Sequence, residues 1–472
     1  MTGAGPEAPR RRESAARRVL PSKHQVSSAW VRARRVSSRI RRRAAAPRLA
    51  LCGMKVKNFI RSLLPEPLLQ AYHFLLAYAG AVVYGFPSRK LVVIAVTGTK
   101  GKSSTTELIA RLLRESGVKT ASTSTIQFCI GDACERNLYK MTMPGRFFLQ
   151  KFLRRAVAAG CTHAVIEMSS EAVKQFRHKG VELDALVFTN LAPEHIESHG
   201  SFDKYADAKL SLAQAVADSP KRPRILAANA DDAYGQKFLD FPAEKKAAYS
   251  LRDAEPYTAD DTSIRFTWRG DLFSVPLPGV FNLYNCLSAL ALGEALGLER
   301  GAMKRALEHA PPIAGRAERV AAGQPFDVVV DYAHTMESLR ALYSTFSNKR
   351  IIAIIGATGG GRDKAKRAER GALAEQYAAL TFITNEDPYD EDPLAIMQEL
   401  SAGFTAKKPQ LISNRRTAIY EALKAAKEGD AVLITGKGTD PYIMGARGKK
   451  EPWSDAAVAK EELQRLGYGS NK

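Results

Sequence analysis

The chain has 472 residues, 45% hydrophobic and 25% charged, with a formal net charge of +21. That length suits two or three globular domains with sizeable cores. The charge is uneven: residues 1–53 hold thirteen arginines and one lysine against Glu7 and Glu13, so the remainder is only mildly basic and is not composed as a nucleic-acid binder. Five cysteines (Cys52, Cys129, Cys134, Cys161, Cys286) show neither a CxxC pair nor zinc spacing. They read as reduced thiols of a cytoplasmic protein.

In chain order, residues 1–53 are poor in large apolar side chains and read as a disordered basic arm. Nucleic-acid contact is expected only through that arm, which could instead meet an anionic membrane. "MKVKNFIRSLLPEPLLQ" makes Met54 a candidate second start. Residues 54–89 form a hydrophobic helical segment in which 68–86 carry no Asp, Glu, Lys or Arg. The stretch is close to a bilayer span in length. The favoured reading is an interfacial or protein-docked helix at the inner face of a membrane; a transmembrane helix is the alternative. Arg61 before it and Arg89 and Lys90 after it set no orientation.

From Lys90 strands and helices alternate. Apolar β-branched runs at 91–97, 163–168, 184–190 and 224–229 read as buried parallel strands, with helices at 102–116, 206–217 and 282–297. A second series begins after Pro311 and Pro312, with strands at 327–331, 351–355, 380–384 and 431–435. Its helices fall near 336–346, 366–379, 393–402 and 415–427. The fold class is α/β: a central P-loop-type ATPase domain with a mostly parallel sheet at 90–312, then a Rossmann-like α/β domain at 313–472.

"LVVIAVTGTKGKSS" carries the chemistry. Gly98 and Gly101 let backbone approach a phosphate, and the following helix start supplies N–H donors and a positive dipole end. Lys102 reaches the β and γ phosphates, and the Ser103 hydroxyl suits Mg²⁺. The strand–turn–helix setting is that of a phosphate loop, although Val96 occupies the first motif position.

"TGTKGKSS" resembles the T-G-T-N-G-K-S/T-S/T loop of the Mur ligases, which add amino acids to the peptidoglycan precursor. It departs at Lys100, usually Asn. Further segments resemble the tripeptide synthetases of that family, in order: "VIEMSSEAVKQFR" (165–177), "FTNLAPEHIESHG" (188–200), "YADAKLSL" (205–212), "GVFNLYNCLSALAL" (279–292), "GRAERV" (315–320), "VVVDYAHTMESL" (328–339) and "GATGGGRDKAKR" (356–367). The resemblance implies an ATP-dependent amide ligase working through an acyl phosphate. It implies ATP contacts at Gly98, Thr99, Gly101, Lys102, Ser103, Ser104, Asn282, Arg316, Asp331 and His334. Two Mg²⁺ ions are implied on Ser103, Glu167, His195 and Lys209, the last carbamylated; His199 is the weaker, structural histidine. Lys364 is placed to stabilise the transferred phosphoryl group.

Thr142, Ser169, Gln175 and Arg177 match positions that hold UDP-MurNAc-L-Ala-D-Glu, and Asp387, Pro388, Tyr389, Gly436 and Asp440 match those that read the incoming amino acid. Here "TNEDPYDEDP" replaces the family's D-N-P-R segment, so the Arg that pairs a distal carboxylate is missing; "GKGTD" replaces "GKGHE". Asp387, Asp390 or Asp440 then suit a basic side chain such as lysine. Other ligases of the superfamily (folylpolyglutamate or cyanophycin type), a lipid-linked acceptor, and a membrane-tethered ATP-binding scaffold are the alternatives. A monomer is expected.

Overall fold

The computed structural model describes residues 65–469, apart from 195, 362 and 363. The basic arm, Met54, Cys52 and His195 lie outside the described residues. Met1–Leu69 and Gln70–Lys472 separate as two units. Of the first, only 65–69 are described, leading into helix α1 (Glu66–Val83).

The central body follows as β1 (Val92–Thr97), α2 (Lys102–Glu115), β2 (Thr120–Thr123), β3 (Gln127–Ile130), β4 (Ala133–Arg136), α3 (Arg146–Ala158), β5 (His163–Glu167), β6 (Ala185–Phe188), α4 (Phe202–Ala217), β7 (Ile225–Asn229) and β8 (Lys245–Tyr249). These strands make one sheet in the order β4-β3-β2-β5-β1-β6-β7-β8. All neighbours are parallel except the β2–β3–β4 edge, which is antiparallel. The inner strands read as unbroken apolar runs because both faces are covered. On one face Leu108, Ile109 and Leu112 of α2 pack with Val96 and Val187. On the other, Phe152 and Leu153 of α3 and Leu212 of α4 pack with Ala95 and Ile166.

A small antiparallel sheet of β9 (Tyr257–Ala259), β10 (Ile264–Trp268) and β11 (Asp271–Val275) precedes α5 (Val280–Leu296) and α6 (Arg300–Glu308). Helix α5 is buried along most of its length, which is why its sequence is apolar on all sides.

The C-terminal body contains β12 (Glu318–Arg319), β13 (Asp327–Val330), α7 (Met336–Thr345), β14 (Ile351–Ile355), α8 (Arg367–Tyr377), β15 (Ala378–Ile383), α9 (Pro393–Ser401), β16 (Gln410–Leu411), α10 (Arg415–Ala425), β17 (Ala431–Ile434) and α11 (Asp455–Arg465). Its sheet runs β12-β13-β17-β14-β15-β16. Only β12 is antiparallel. A buried ion pair between Arg415 and Asp455 ties α10 to the start of α11, with N–O distances of 2.7 and 2.8 Å.

Two expectations are corrected. Cys129 and Cys134 are not free thiols but form a disulfide across the β3–β4 hairpin. They stand directly opposite each other in the antiparallel register, with Cα atoms 4.1 Å apart. Cys161 and Cys286 are free and buried. The transmembrane alternative for 68–86 also falls: among the described residues no helix is long and apolar enough to cross a membrane. Helix α1 is protein-docked instead. Ala77 and Ala81 are fully buried, and Gly180 permits the close approach, since a Cβ there would lie 2.8 Å from that of Ala81.

Candidate active site

The site forms at the carboxyl end of β1, where open α/β sheets place their ligands. Gly98 adopts φ 151° and a Cβ there would stand 1.9 Å from the Thr189 hydroxyl. Gly101, at φ 81°, precedes Lys102 at the start of α2, and a Cβ would stand 2.4 Å from Asn285 Oδ1. Only glycine fits both the backbone and the space. Gly101→Ala should therefore lower ATP affinity at least about tenfold, because the loop must shift to admit the methyl group; calorimetric titration with ATP measures it. Ser104, one turn into α2, is buried.

Lys102 donates from Nζ to the carbonyls of Gly98 (3.0 Å) and Thr99 (2.9 Å). Its ammonium caps loop carbonyls from the place where phosphate oxygens would bind. Burial lowers its pKa, against the pull of Glu167 and Glu194. Beside it the Ser103 hydroxyl donates to Glu167 at 2.9 Å. Glu167 ends β5 and is only 2% exposed. It also accepts from the Thr125 backbone N–H (2.7 Å) and hydroxyl, and Thr125 Oγ1 lies 3.0 Å from Thr142 Oγ1. One hydrogen-bonded line thus runs from the phosphate loop to a predicted acceptor residue.

Lys209, on α4, is 1% exposed and donates to the Gly98 carbonyl at 2.7 Å, with its Nζ 4.7 Å from the centre of the Tyr205 ring. Burial, then the neighbouring Lys102 charge, holds its pKa well below the usual lysine value. The Tyr205 hydroxyl lies 3.0 Å from Thr99 Oγ1, fastening α4 to the loop. His199 is buried edge-on against Tyr205, with ring centroids 5.3 Å apart.

Lys100, the departure from the family pattern, has its own partner. Its Nζ pairs with Glu194 at 2.9 Å, and Glu194 also faces His334 Nε2 of the C-terminal body at 3.4 Å. Glu194 was not singled out from sequence, although it stands in the quoted "NLAPEH" segment. Arg316 reaches from the C-terminal body to the Ser103 hydroxyl at 3.3 Å and stacks on Tyr332 at 4.6 Å. Asp331 holds that turn by accepting from the N–H groups of Ala317 and Ala333, each at 2.6 Å.

Two expected site residues are engaged elsewhere. Asn282 is buried, donates to the Pro278 carbonyl at 2.9 Å and accepts from Asn285 at 3.0 Å. It orients Asn285, which touches the phosphate loop and which sequence reasoning passed over. Lys364 is 65% exposed and ion-paired with Glu399 at 3.2 Å; Arg367, three residues later, takes the buried position against Glu391 and Glu399.

Among the residues expected to hold the acceptor, Ser169 caps a short helix (Ser170–Lys174), and Arg177 donates to the Gln175 side chain at 2.7 Å. Arg146 lies close enough to Arg177 to lower its own pKa, after the larger effect of burial. Among the described residues neither guanidinium has a carboxylate partner, and both donate to neutral oxygens. Such a pair suits an anionic substrate group.

The residues expected to read the incoming amino acid form a charge cluster. Asp387 accepts from Lys437 Nζ and the Met444 N–H, each at 2.8 Å. Asp440 lies 3.3 Å from the same lysine, which is completely buried. A second ammonium, that of Lys140, arrives from the loop after β4, pairing with Asp387 and lying 3.1 Å from Asp440. It stands 5.8 Å from the Tyr389 ring centre. Gly359 lets the Pro388 carbonyl approach, since a Cβ would lie 2.1 Å from it; Gly436 does the same for Glu386 at 2.2 Å. Asp390 is occupied by the Arg447 N–H at 2.7 Å.

A phosphate loop, a buried carboxylate beside its serine, and a second α/β body reaching over both define a nucleotide-dependent enzyme. The sequence matches the Mur ligase middle domain over residues 96–293 and the Mur ligase glutamate ligase domain over 315–438. It is 35% identical to a UDP-N-acetylmuramyl-tripeptide synthetase of Roseiflexus sp., covering 84% of this chain and 82% of that protein. It is 34% identical to a UDP-N-acetylmuramoyl-L-alanyl-D-glutamate–2,6-diaminopimelate ligase of Geobacillus kaustophilus, covering 81% of each. Among solved structures, a ligase of the latter kind superposes with a TM-score of 0.55 at 28% identity over 80% of this chain and 79% of that one. The Mycobacterium tuberculosis folylpolyglutamate synthase superposes with a TM-score of 0.63 over 85% of this chain and 99% of that one; at 16% identity it shows the shared fold alone. The chain belongs to the Mur ligase family and is an ATP-dependent acid–amino-acid ligase.

Proposed function

We propose that this ligase extends UDP-N-acetylmuramoyl-L-alanyl-D-glutamate by one amino acid through an acyl phosphate. The observation that carries the reading is the line Ser103–Glu167–Thr125–Thr142, which couples the phosphate loop to the acceptor residues. The names of the similar proteins support the same acceptor. The acceptor carboxylate oxygen attacks the γ phosphorus and ADP leaves. The neutral amine then attacks the acyl carbon, phosphate leaves with the C–O electrons, and the amine's proton passes to solvent.

The chain's own groups fit this sequence. Lys102 meets the γ phosphate charge as it moves. Arg146 and Arg177 hold the acceptor's anionic group. Arg316 closes the C-terminal body onto Ser103 and excludes water that would hydrolyse the acyl phosphate. Magnesium, when bound, neutralises phosphate charge during transfer. The donors present fit a hard cation: the Ser103 hydroxyl and the buried Glu167 carboxylate offer oxygen. Among the described residues no cluster of three His, Cys, Asp or Glu would hold a metal unaided, so further ligands must come from phosphate, His195 or a carbamate on Lys209. A neutral amine is the form of lysine that reacts with carbon dioxide, and burial, then the neighbouring Lys102 charge, shifts Lys209 toward that form. Lys364 is retained as a phosphoryl-side residue only if its turn moves inward when ATP binds.

For the incoming amino acid we infer a cationic side chain. Asp387, Asp440 and the Tyr389 ring already cradle an alkylammonium, that of Lys140. The test is phosphate release with ATP, Mg²⁺ and UDP-N-acetylmuramoyl-L-alanyl-D-glutamate across lysine, ornithine, diaminopimelate and uncharged amino acids, with mass spectrometry of products. A tripeptide product with a cationic amino acid is expected. Turnover only with a lipid-linked or other acyl acceptor would overturn the acceptor assignment.

A further inference from the structure

Helix α1 has two apolar sides and no charged one. At 3.6 residues per turn, Ala77 and Ala81 face the protein, while Tyr72, Leu75, Ala79 and Val82 form a stripe on the opposite side. Tyr72 is 52% exposed, Leu75 67%, Val82 62% and the adjoining Val83 67%. A surface helix ordinarily turns charged residues to water; here 68–86 supply none. The inner face needs no such length of apolar side chain, because it packs through alanines, Gly80 and an edge-on contact between Phe74 and Phe176.

We propose that the outer face of α1 seats the protein on an anionic lipid bilayer, the helix lying in the interface plane. Charge complementarity selects that occupant. Fourteen arginines precede the helix in sequence, and Lys90 is exposed just after it, beside Arg89, which pairs with Glu182. One apolar face holds a bilayer weakly, and an added cluster of basic residues makes the attachment stable and selective for anionic lipid. A second copy of this chain is the poorer occupant, since each copy would bring the same excess of arginine. The helix packs on Phe176 and Gly180, which flank Arg177, so docking sets the acceptor residues one layer behind the membrane surface. The proposal does not depend on which acceptor the ligase uses.

The test is co-sedimentation of the full chain with vesicles of phosphatidylcholine alone or mixed with phosphatidylglycerol. Wild type is compared with the double variant Leu75→Glu/Val82→Glu. Wild type should pellet with the mixed vesicles at least about tenfold more than with the neutral ones. The double variant, with an unchanged circular dichroism spectrum, should lose most of that binding. If it unfolds, Leu75→Ser must show the same loss in smaller measure. Equal pelleting of wild type and variant, or no pelleting of wild type, overturns the proposal. So does a concentration-dependent dimer in sedimentation velocity that the double variant abolishes without any vesicle binding.

Discussion

Replacing Lys209 with methionine should abolish ligation while making the protein more stable. Lys209 is buried beside Lys102, and among the described residues no carboxylate touches its Nζ directly; it donates to the Gly98 carbonyl at 2.7 Å. Burial, then the Lys102 charge, lowers its pKa. The unfolded chain keeps the ammonium proton up to about pH 10.5, the ordinary lysine value, and the folded chain gives it up earlier. Between those two pH values folding releases a proton, and stability rises with pH across the window. At neutral pH the lysine therefore costs stability, and methionine, similar in length and uncharged, relieves it. The melting temperature should rise by roughly 2 °C, whereas kcat should fall at least about a hundredfold. A merely structural lysine would give the opposite pairing, lower stability with activity largely kept. Scanning calorimetry between pH 7 and pH 10 adds a second check: the gain should shrink as pH rises. Intact-mass measurement of wild type in bicarbonate, against the variant, tests the carbamate.

The parts of the fold that were legible share one cause. β1, β5, β6 and β7, and later β13, β14 and β17, are covered on both faces, so burial left unbroken apolar runs within a residue or two of the observed ends. The phosphate loop was legible because its two glycines, lysine and serine stand together between an apolar strand and a helix start; the contacts with Thr189 and Asn285 that require glycine there appear only in the fold. Helix α3 was missed although Leu149, Phe152, Leu153 and Ala156, its buried positions, do repeat at helical spacing. The β3–β4 hairpin was not legible: its strands have four residues each, too short for a period to show, and without the hairpin the two cysteines have no reason to face each other. Asn282 was assigned by its motif to the adenine side, but its amide is spent on Pro278 and Asn285, and the motif could not say so. Glu194 was invisible for another reason. Its partners are Lys100 and His334, and only the folded chain brings the phosphate loop and the C-terminal body to one carboxylate.

Lys140 is the furthest such case, joined to Asp387 across 247 positions of sequence. Lys140→Met is expected to destabilise the ligand-free protein while improving its use of a cationic amino acid. In the folded chain Asp387 and Asp440 share two ammonium groups, those of Lys437 and Lys140. Removing one leaves two buried carboxylates on a single cation, a loss of about 1–3 kcal/mol given that the Lys140 side chain keeps some contact with water. Burial pulls the Lys140 pKa down, but Asp440 and Asp387 more than offset it, and the net direction is upward. The stabilisation is therefore fully present below the ordinary lysine value and is lost as pH rises through the folded one. The wild-type protein and the variant should differ in urea midpoint at pH 7 and converge at strongly alkaline pH. Catalysis should move the other way. If Lys140 holds the place of the substrate's ammonium, it competes with the substrate, and its removal should lower KM for lysine or ornithine several-fold with kcat little changed. If it were instead a second reader of the substrate, pairing with a carboxylate at the end of the side chain, the variant would raise KM for diaminopimelate and leave lysine unaffected. Because the first role lowers KM for lysine and the second raises KM for diaminopimelate alone, one set of saturation curves on the variant decides between them.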